Sequence, residues 1–318
     1  MTSPVYVSDF CYSLGSERHS VAESAGRGRT LTAAEALEDA GFRFHHVCPD
    51  GESAYDLAVA AVDDLAKQHG DALDAIVYAT CLPGSANVGS ADRFADSGDV
   101  KHLMDFPASR LQSDLGLHRA IVIGLNQQAC TSMLGSIRMA HALLAVEPDM
   151  EQVLCLSADR FPAGARYEQA YSLISDGAAA CVVRRERGGY RLLAAEHITN
   201  GAMVQADDDE TVGAYFSYTN QVVQRLLAKA GLTADQIRWV VPQNTNVKAW
   251  QILARLLGIA EDRVFQPSLP DVGHVISGDN MVNMAYLEES GRAAAGDVVL
   301  LVMAGYGMNW QGLLLEKV

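Results

Sequence analysis

The chain has 318 residues, 49% of them apolar, and a formal net charge of −15. That supplies material for one large or two ordinary domains and excludes a disordered chain. The acidic balance argues against nucleic acid or an anionic membrane as the main partner, since both demand a basic footprint. No run approaches the ~18 apolar residues of a membrane span. The opening stretch MTSPVYVSDFCYSLGSERHS has neither the basic nor the apolar region of a signal peptide. Of the six cysteines, Cys11, Cys81, Cys155 and Cys181 lie in or at the end of strand-like runs, which suits reduced thiols in a cytoplasm. Neither a CxxC pair nor a histidine cluster appears, so no metal site is expected.

In chain order, 53–70 has helical spacing and a glycine stop, and DAIVYATC (74–81) reads as a buried strand. Residues 107–117 are helical, AIVIGL (120–125) is a strand, and TSMLGSIRMAHALLAV (131–146) is a helix. Strands follow at 153–159 and 178–186. The same order returns: a helix at 217–232, a strand at 237–245, a helix at 247–259, a short strand at 263–269 (RVFQPSL), a helix at 280–295, and strands at 298–307 and 310–318.

The offsets agree as well as the order. Arg119 precedes Cys130 by the same number of positions as Arg263 precedes His274. The spans from Cys130 to Val153 and from His274 to Val298 differ by one. Such self-similarity predicts an α/β fold of two βα halves packed on each other, 1–186 and 187–318. The first half carries an extra polar segment at about 84–104, rich in Gly, Ser and Asp, of the kind that lies on a surface and often lines a binding site.

In two halves related by a pseudo-twofold axis, equivalent loops can meet. Cys130 and His274 each stand at a strand-to-helix junction, in equivalent places. A thiolate is the nucleophilic form of cysteine, helix N-termini favour it, and an imidazole can take the proton and return it. Ala129, Thr131 and Ser132 leave room for an incoming thioester. Cys11, Cys155 and Cys181 read as packing residues. His141 reads as structural, His45 and His46 as loop or edge residues, and His69, His102, His118 and His197 as surface or loop residues.

Several stretches carry a resemblance: GFRFHHVCPDGESAYDLAVAA, QQACTSMLGSIRMAHALL, LCLSADRF, SDGAAACVV, VPQNTN, DVGHVISGDN and GDVVLLVMAGYGMNW. In this order and spacing the chain resembles the ketoacyl-acyl-carrier-protein synthase III group of the thiolase superfamily over nearly its full length. The resemblance implies a homodimer of five-layered αβαβα subunits. It implies that Cys130 takes an acyl group from coenzyme A or from the phosphopantetheine of a carrier protein, with no further cofactor. The backbone N–H groups of Cys130 and Tyr306 would form the oxyanion hole.

Two departures matter. Condensing members have a His after the Pro of P-H-Q-A-N and an Asn in G-N-T-S. Here Gln243 stands in place of that His, in Pro242-Gln243-Asn244-Thr245-Asn246, and His274 stands in place of that Asn. Gln243 and Asn244 can donate hydrogen bonds but cannot take a proton. Asp279 is placed either to orient His274 in a Cys-His-Asp arrangement or to cap a helix. The Trp and Arg that hold the adenine of coenzyme A, just before the stretch matched by Gly41-Phe42-Arg43-Phe44, are missing from AAEALEDA, which favours a carrier protein as donor. Lys248 and Arg255, with Arg225 and Lys229, fall in helices of the matching docking face. Met104, Phe106 and Met133 stand either as acyl-pocket residues or as ordinary core.

The expected activity is acyl transfer through Cys130 to a hydroxyl or amine, in specialised metabolism. The alternatives are carbon–carbon condensation with an unusual acceptor, and a non-catalytic partner subunit.

Overall fold

The computed structural model describes residues 4–82, 90–169, 172–206, 208–306 and 308–318. Its main strands are β1 (Tyr6–Leu14), β2 (Ala75–Ala79), β3 (Ile121–Leu125), β4 (Gln152–Asp159) and β5 (Gly177–Arg184), then β6 (Tyr190–Thr199), β7 (Ile237–Pro242), β8 (Val298–Gly305) and β9 (Asn309–Lys317). They run in the order β3-β2-β4-β5-β1-β6-β9-β8-β7. The junction between β1 and β6 is narrow, with Tyr6 opposite Arg191 and Val7 opposite Tyr190.

Either side of that junction has one topology. β2 pairs in parallel with β3 and β4, then β5 and β1 follow antiparallel. β7 pairs in parallel with β8, then β9 and β6 follow antiparallel. Where β3 stands in the first set, the second has a single parallel bridge from Val240 to Val264.

Helices fill the spaces between strands: α1 (Ala54–His69), α2 (Pro107–Asp114), α3 (Ser132–Val146), α4 (Asp208–Ala230), α5 (Val247–Leu257) and α6 (Asp279–Glu289). Helix α1 starts at a capping box between Ser53 and Asp56 and ends at Gly70, whose φ is 50°. Its Leu57, Ala58, Ala61, Val62 and Leu65 cover the outer face of the first strand set, packing with Ile76, Tyr78, Leu154 and Val182. Helices α4 and α5 cover the other outer face, where Val222, Leu226, Trp250 and Leu253 meet Val240, Leu300, Val302 and Leu314. Between the sheets lie α3 and α6. Met133, Leu134, Ile137, Met281, Met284 and Leu287 share one core with Val77, Cys155, Val183, Leu301, Met303 and Leu313. The layers are therefore αβαβα. Because both faces of each central strand are covered, the strands read as unbroken apolar runs rather than alternating ones.

This burial explains α3. The stretch Ala129–Val146 is long and apolar enough to cross a membrane by composition alone, yet half of it is buried inside the protein. Its apolar surface packs between the two sheets, and each fully buried Leu, Ile or Met there is worth about 1.5–3 kcal/mol.

Four sequence expectations need correction, one of them the helix expected over 280–295, which stops at Glu289. β1 and β6 were not predicted, though each runs beside the junction. The strand expected over 263–269 is a 3-10 turn (Glu261–Arg263), one bridge at Val264 and a short helix (Leu269–Val272). Pro267 and Pro270 remove the N–H donors a longer strand needs. The helix expected over 217–232 begins earlier, at Asp208.

In the polar segment, Ala91–Ser97 and Val100–Leu103 are short helices, and 83–89 lie outside the described residues. Val100, Met104 and Phe106 are 56%, 53% and 63% exposed, whereas Met133 is fully buried in the central core.

Candidate active site

Cys130 lies on a 3-10 turn, Ala129–Thr131, that leads directly into α3. The turn is tightly wound: Gln127 and Ala129 have φ of 64° and 47°, unusual for residues with a side chain. It is held from the opposite sheet. Gln311 on β9 donates to the Gln128 side-chain oxygen at 2.7 Å and to the Thr131 hydroxyl at 3.0 Å. Thr131 returns its hydroxyl to the Gln128 carbonyl at 2.7 Å. The end of β8 presses on the same turn, so that a Cβ on Gly305 would fall 2.8 Å from the Gln128 carbonyl and 3.2 Å from the Cys130 nitrogen.

His274 stands in the loop before α6, after Gly273, whose φ is 70°. Its backbone is fixed against Leu173 and Ser175 by two bonds of 2.8 Å. Its ring Nδ1 faces Asp279 Oδ2 at 2.5 Å. Asp279 is the first residue of α6, after the cap position Gly278. It accepts from Val275 N–H at 2.6 Å and Asn244 N–H at 2.7 Å. With Asp279 surrounded by donors, Nδ1 of His274 carries the hydrogen and Nε2 is left to act. Both side chains are buried, His274 at 3% and Asp279 at 0% exposure.

The two loops are joined. The hydroxyls of Ser132 and Ser277 meet at 2.8 Å, and Ser277 also donates to the Ala129 carbonyl at 3.3 Å. Across this seam Cys130 and His274 act on each other electrostatically. The Cys130 thiol is pushed well below the ordinary thiol range, first by the neighbouring Cys81 thiol and then by His274, against the opposing effect of burial. Burial pushes His274 down, but Asp279 and the Cys130 sulfur outweigh it and raise the imidazole to about 10. Both directions favour the thiolate form of Cys130 beside His274.

Gln243 borders this pair. Its Oε1 accepts from Ala304 N–H at 3.1 Å, which turns its Nε2 toward His274 Nε2 at 3.4 Å. Asn244 is occupied differently. Its amide nitrogen donates to Ser268 at 2.9 Å and to the Gly273 carbonyl at 2.8 Å, and its oxygen accepts from Asn283 at 2.9 Å. It therefore supports the His274 loop and Asp279, with no amide hydrogen left for a substrate.

Tyr306 follows Gly305 and is 72% exposed; Gly307 lies outside the described residues. Lys248 and Arg255 are exposed on the outer helix α5, with Arg255 paired to Glu261 at 3.1 Å. Arg225 and Lys229 are exposed on α4, and Lys229 donates to the Ala195 carbonyl at 2.9 Å. His45 is fully buried between Ser24 and the Ile174 carbonyl, and burial lowers it to about 4. Among the described residues no group of three or more His, Cys, Asp or Glu side chains is arranged to hold a metal. The residue that sequence reasoning missed is Cys81, beside Cys130. Its one signal is its place at the end of a strand-like run in the sequence.

A profile for the C-terminal part of 3-oxoacyl-[acyl-carrier-protein] synthase III matches residues 227–317, and a companion profile for the same synthase matches 126–201. The β-ketoacyl-[acyl-carrier-protein] synthase III of Oleidesulfovibrio alaskensis is 24% identical over 310 residues, covering 87% of this chain and 88% of that one. Among solved structures, synthase III (FabH) from Pseudomonas aeruginosa superposes with a TM-score of 0.81 at 20% identity, over 99% of this chain and 98% of that one. The acyltransferase ChlB3 superposes with a TM-score of 0.83 at 20% identity, over 99% and 98%. The profiles and relatives show a transferase of the thiolase superfamily. Within it, the chain belongs to the 3-oxoacyl-[acyl-carrier-protein] synthase III family.

Proposed function

We propose that this protein is an acyltransferase that moves an acyl group, through a thioester on Cys130, to a hydroxyl or amine. The observation that carries this is the His274–Asp279 contact of 2.5 Å, which gives Cys130 a general base with a fixed tautomer. The resting thiolate attacks the thioester carbonyl of the donor. The oxyanion that forms is held by N–H groups of the nucleophile turn and of the chain leaving β8, Cys130 and Tyr306. Expulsion of the donor thiol, protonated by His274, leaves the acyl-enzyme. Having given its proton to the donor thiol, His274 is neutral, and acylation removes the anion that helped raise it, so it stays neutral with Nε2 free. It then takes the proton of the incoming hydroxyl or amine. Attack on the acyl carbonyl restores the Cys130 thiolate and releases the ester or amide.

Condensation is the weaker reading because of how the amides are used. Gln243 is oriented by Ala304 toward His274, and Asn244 is spent in the loop. A malonyl enolate would meet one imidazole rather than a His–Asn pair of donors. A non-catalytic subunit has no use for a buried Cys-His-Asp arrangement.

A carrier protein is the favoured donor. The helix Ala34–Asp39, where adenine-binding residues would stand, presents Glu35, Glu38 and Asp39 to solvent, and these repel the phosphates of coenzyme A. On α5, exposed Ile252 and Leu256 lie beside Lys248 and Arg255, an apolar strip with basic neighbours suited to an acidic carrier. The protein is read as a homodimer. β3 is an edge strand, with Ile121 and Val122 48% and 37% exposed, and a second β3 would cover it.

Incubation with acyl carrier protein or acyl-coenzyme A, followed by intact mass measurement, tests the reading. A single acyl increment on wild type and none on Cys130→Ala supports it. No adduct on wild type, or release of carbon dioxide with a β-keto product, rejects it.

A further inference from the structure

The site holds a second thiol that the proposed chemistry does not use. Parallel pairing sets Ala79 opposite Leu125 and bonds Thr80 N–H to the Leu125 carbonyl at 2.9 Å, so β2 and β3 release their chains side by side. Cys81 leaves the first and Cys130 follows the second. Asp159, at the end of neighbouring β4 and 1% exposed, fixes the exit of β2. Its carboxylate accepts from Cys81 N–H at 2.9 and 3.0 Å and from Leu82 N–H at 2.8 Å. Both sulfurs then pack on one cluster of Val47, Phe161, Tyr167, Ile174 and Ile276.

We infer that Cys81 is a positioning residue for the nucleophile, its thiol donating a hydrogen bond to the Cys130 thiolate. The direction of donation is set by the surroundings. Cys130 has His274 to favour its anion, whereas Cys81 is raised above the ordinary thiol range by its neighbour Cys130 and by burial, which keeps it the protonated partner. The other charged groups facing the pair are Asp279 and Asp159, and both disfavour an anion on Cys130. The donated hydrogen bond opposes them. It has two consequences of opposite sign. It keeps Cys130 ionised at lower pH, and it makes the ionised sulfur a milder nucleophile, because nucleophilicity falls with thiol pKa. Such a restraint suits a thiolate that must wait for a thioester without reacting with other electrophiles.

The inference rests on Cys130 being the acylated residue, but its test needs no acyl donor. The rate of Cys130 alkylation by iodoacetamide, read on the Cys130 peptide by mass spectrometry, is followed from pH 5 to 9 in the full chain. Cys81→Ala removes the donor. Its midpoint should rise by about one unit, so that alkylation below the wild-type midpoint slows about tenfold. Its high-pH plateau should rise about twofold to threefold. Cys81→Val, with nearly the volume of cysteine and no donor, should behave alike if the alanine variant folds poorly. Cys81→Ser keeps an O–H donor and should stay within about twofold of wild type across the profile. A Cys81→Ala and Cys81→Val profile that superposes on wild type overturns the inference. So does a Cys81→Ser profile that matches Cys81→Ala, since the contact is then packing alone. A shifted midpoint in a protein that takes up no acyl group sinks the acyl-transfer reading and leaves the thiol pair standing.

Discussion

Asp279 does two things at once: it seats the His274 loop through Val275 N–H, and it keeps the imidazole hydrogen on Nδ1. An amide there offers a donor where the ring needs an acceptor. Asp279→Asn should therefore slow acylation by about 10²–10⁴-fold, as loss of the orienting carboxylate does in other triads. The sign of the pH effect follows as well. Asp279 is the main partner raising His274; without it the imidazolium deprotonates at lower pH, and the neighbouring thiolate loses its cation. The acylation profile of the variant should move to higher pH, which stopped-flow release of the donor thiol would measure. Asp159 predicts a second pH effect, this one on stability. Burial holds its carboxyl at about 7 in the folded protein, against about 3.9 when unfolded. A raised carboxyl stabilises the fold below the unfolded value, and that stability is lost as pH rises toward 7. Between pH 4 and 7, wild type should therefore lose more melting temperature than Asp159→Asn, measured by scanning calorimetry at each pH. An equal loss in both would remove Asp159 as the cause. At this scale the sequence was half legible. Cys130 and His274 stood out because a repeat placed them in equivalent corners. Cys81 did not, because its contact arises from two strand ends lying side by side, which no spacing along the chain records. Nor did the commitment of Asn244 to its own loop, which depends on Ser268, Gly273 and Asn283 converging on it.

Among the elements, β8 meets the Cys130 turn closely. The backbone of Gly305 approaches the Gln128 carbonyl and the Cys130 nitrogen so closely that no side chain fits between them. Gly305→Val should displace the turn, costing about 1–3 kcal/mol of stability by overpacking and on the order of 10²-fold in acylation rate through misplacement of the sulfur. A variant that folds and acylates at the wild-type rate would contradict that geometry. Helix α5 carries another expectation: Arg255→Glu should raise the KM for an acyl carrier protein severalfold, with the KM for a small acyl thioester unchanged. Equal effects on both donors would place the docking face elsewhere. Most helices were readable from the sequence because they are amphipathic and capped, as at Ser53 and Gly70. β1 and β6 were not. Both carry a register shift, between Ser8 and Cys11 and between Leu192 and Ala194, and mix polar with apolar residues, so the period-two signal is broken where it would have been read.

For the molecule as a whole, the αβαβα layering was anticipated from the family resemblance, and the order of strands and helices from the repeat. The exposed edge β3 is the feature that looks outward. Val122→Lys puts a charge on that edge and should convert a dimer into a monomer, seen as a halved mass in size-exclusion chromatography with light scattering. A dimer that survives the change uses a different face. The seam between the loops has a further consequence in time. The Ser132 and Ser277 hydroxyls that meet there are 145 residues apart in the chain. At a synthesis rate of about 5–20 residues per second, Cys130 leaves the ribosome roughly 7–30 seconds before His274. On the proposed chemistry, a nascent chain displays only an ordinary, sluggish sulfhydryl until His274 has been made and the two loops have met.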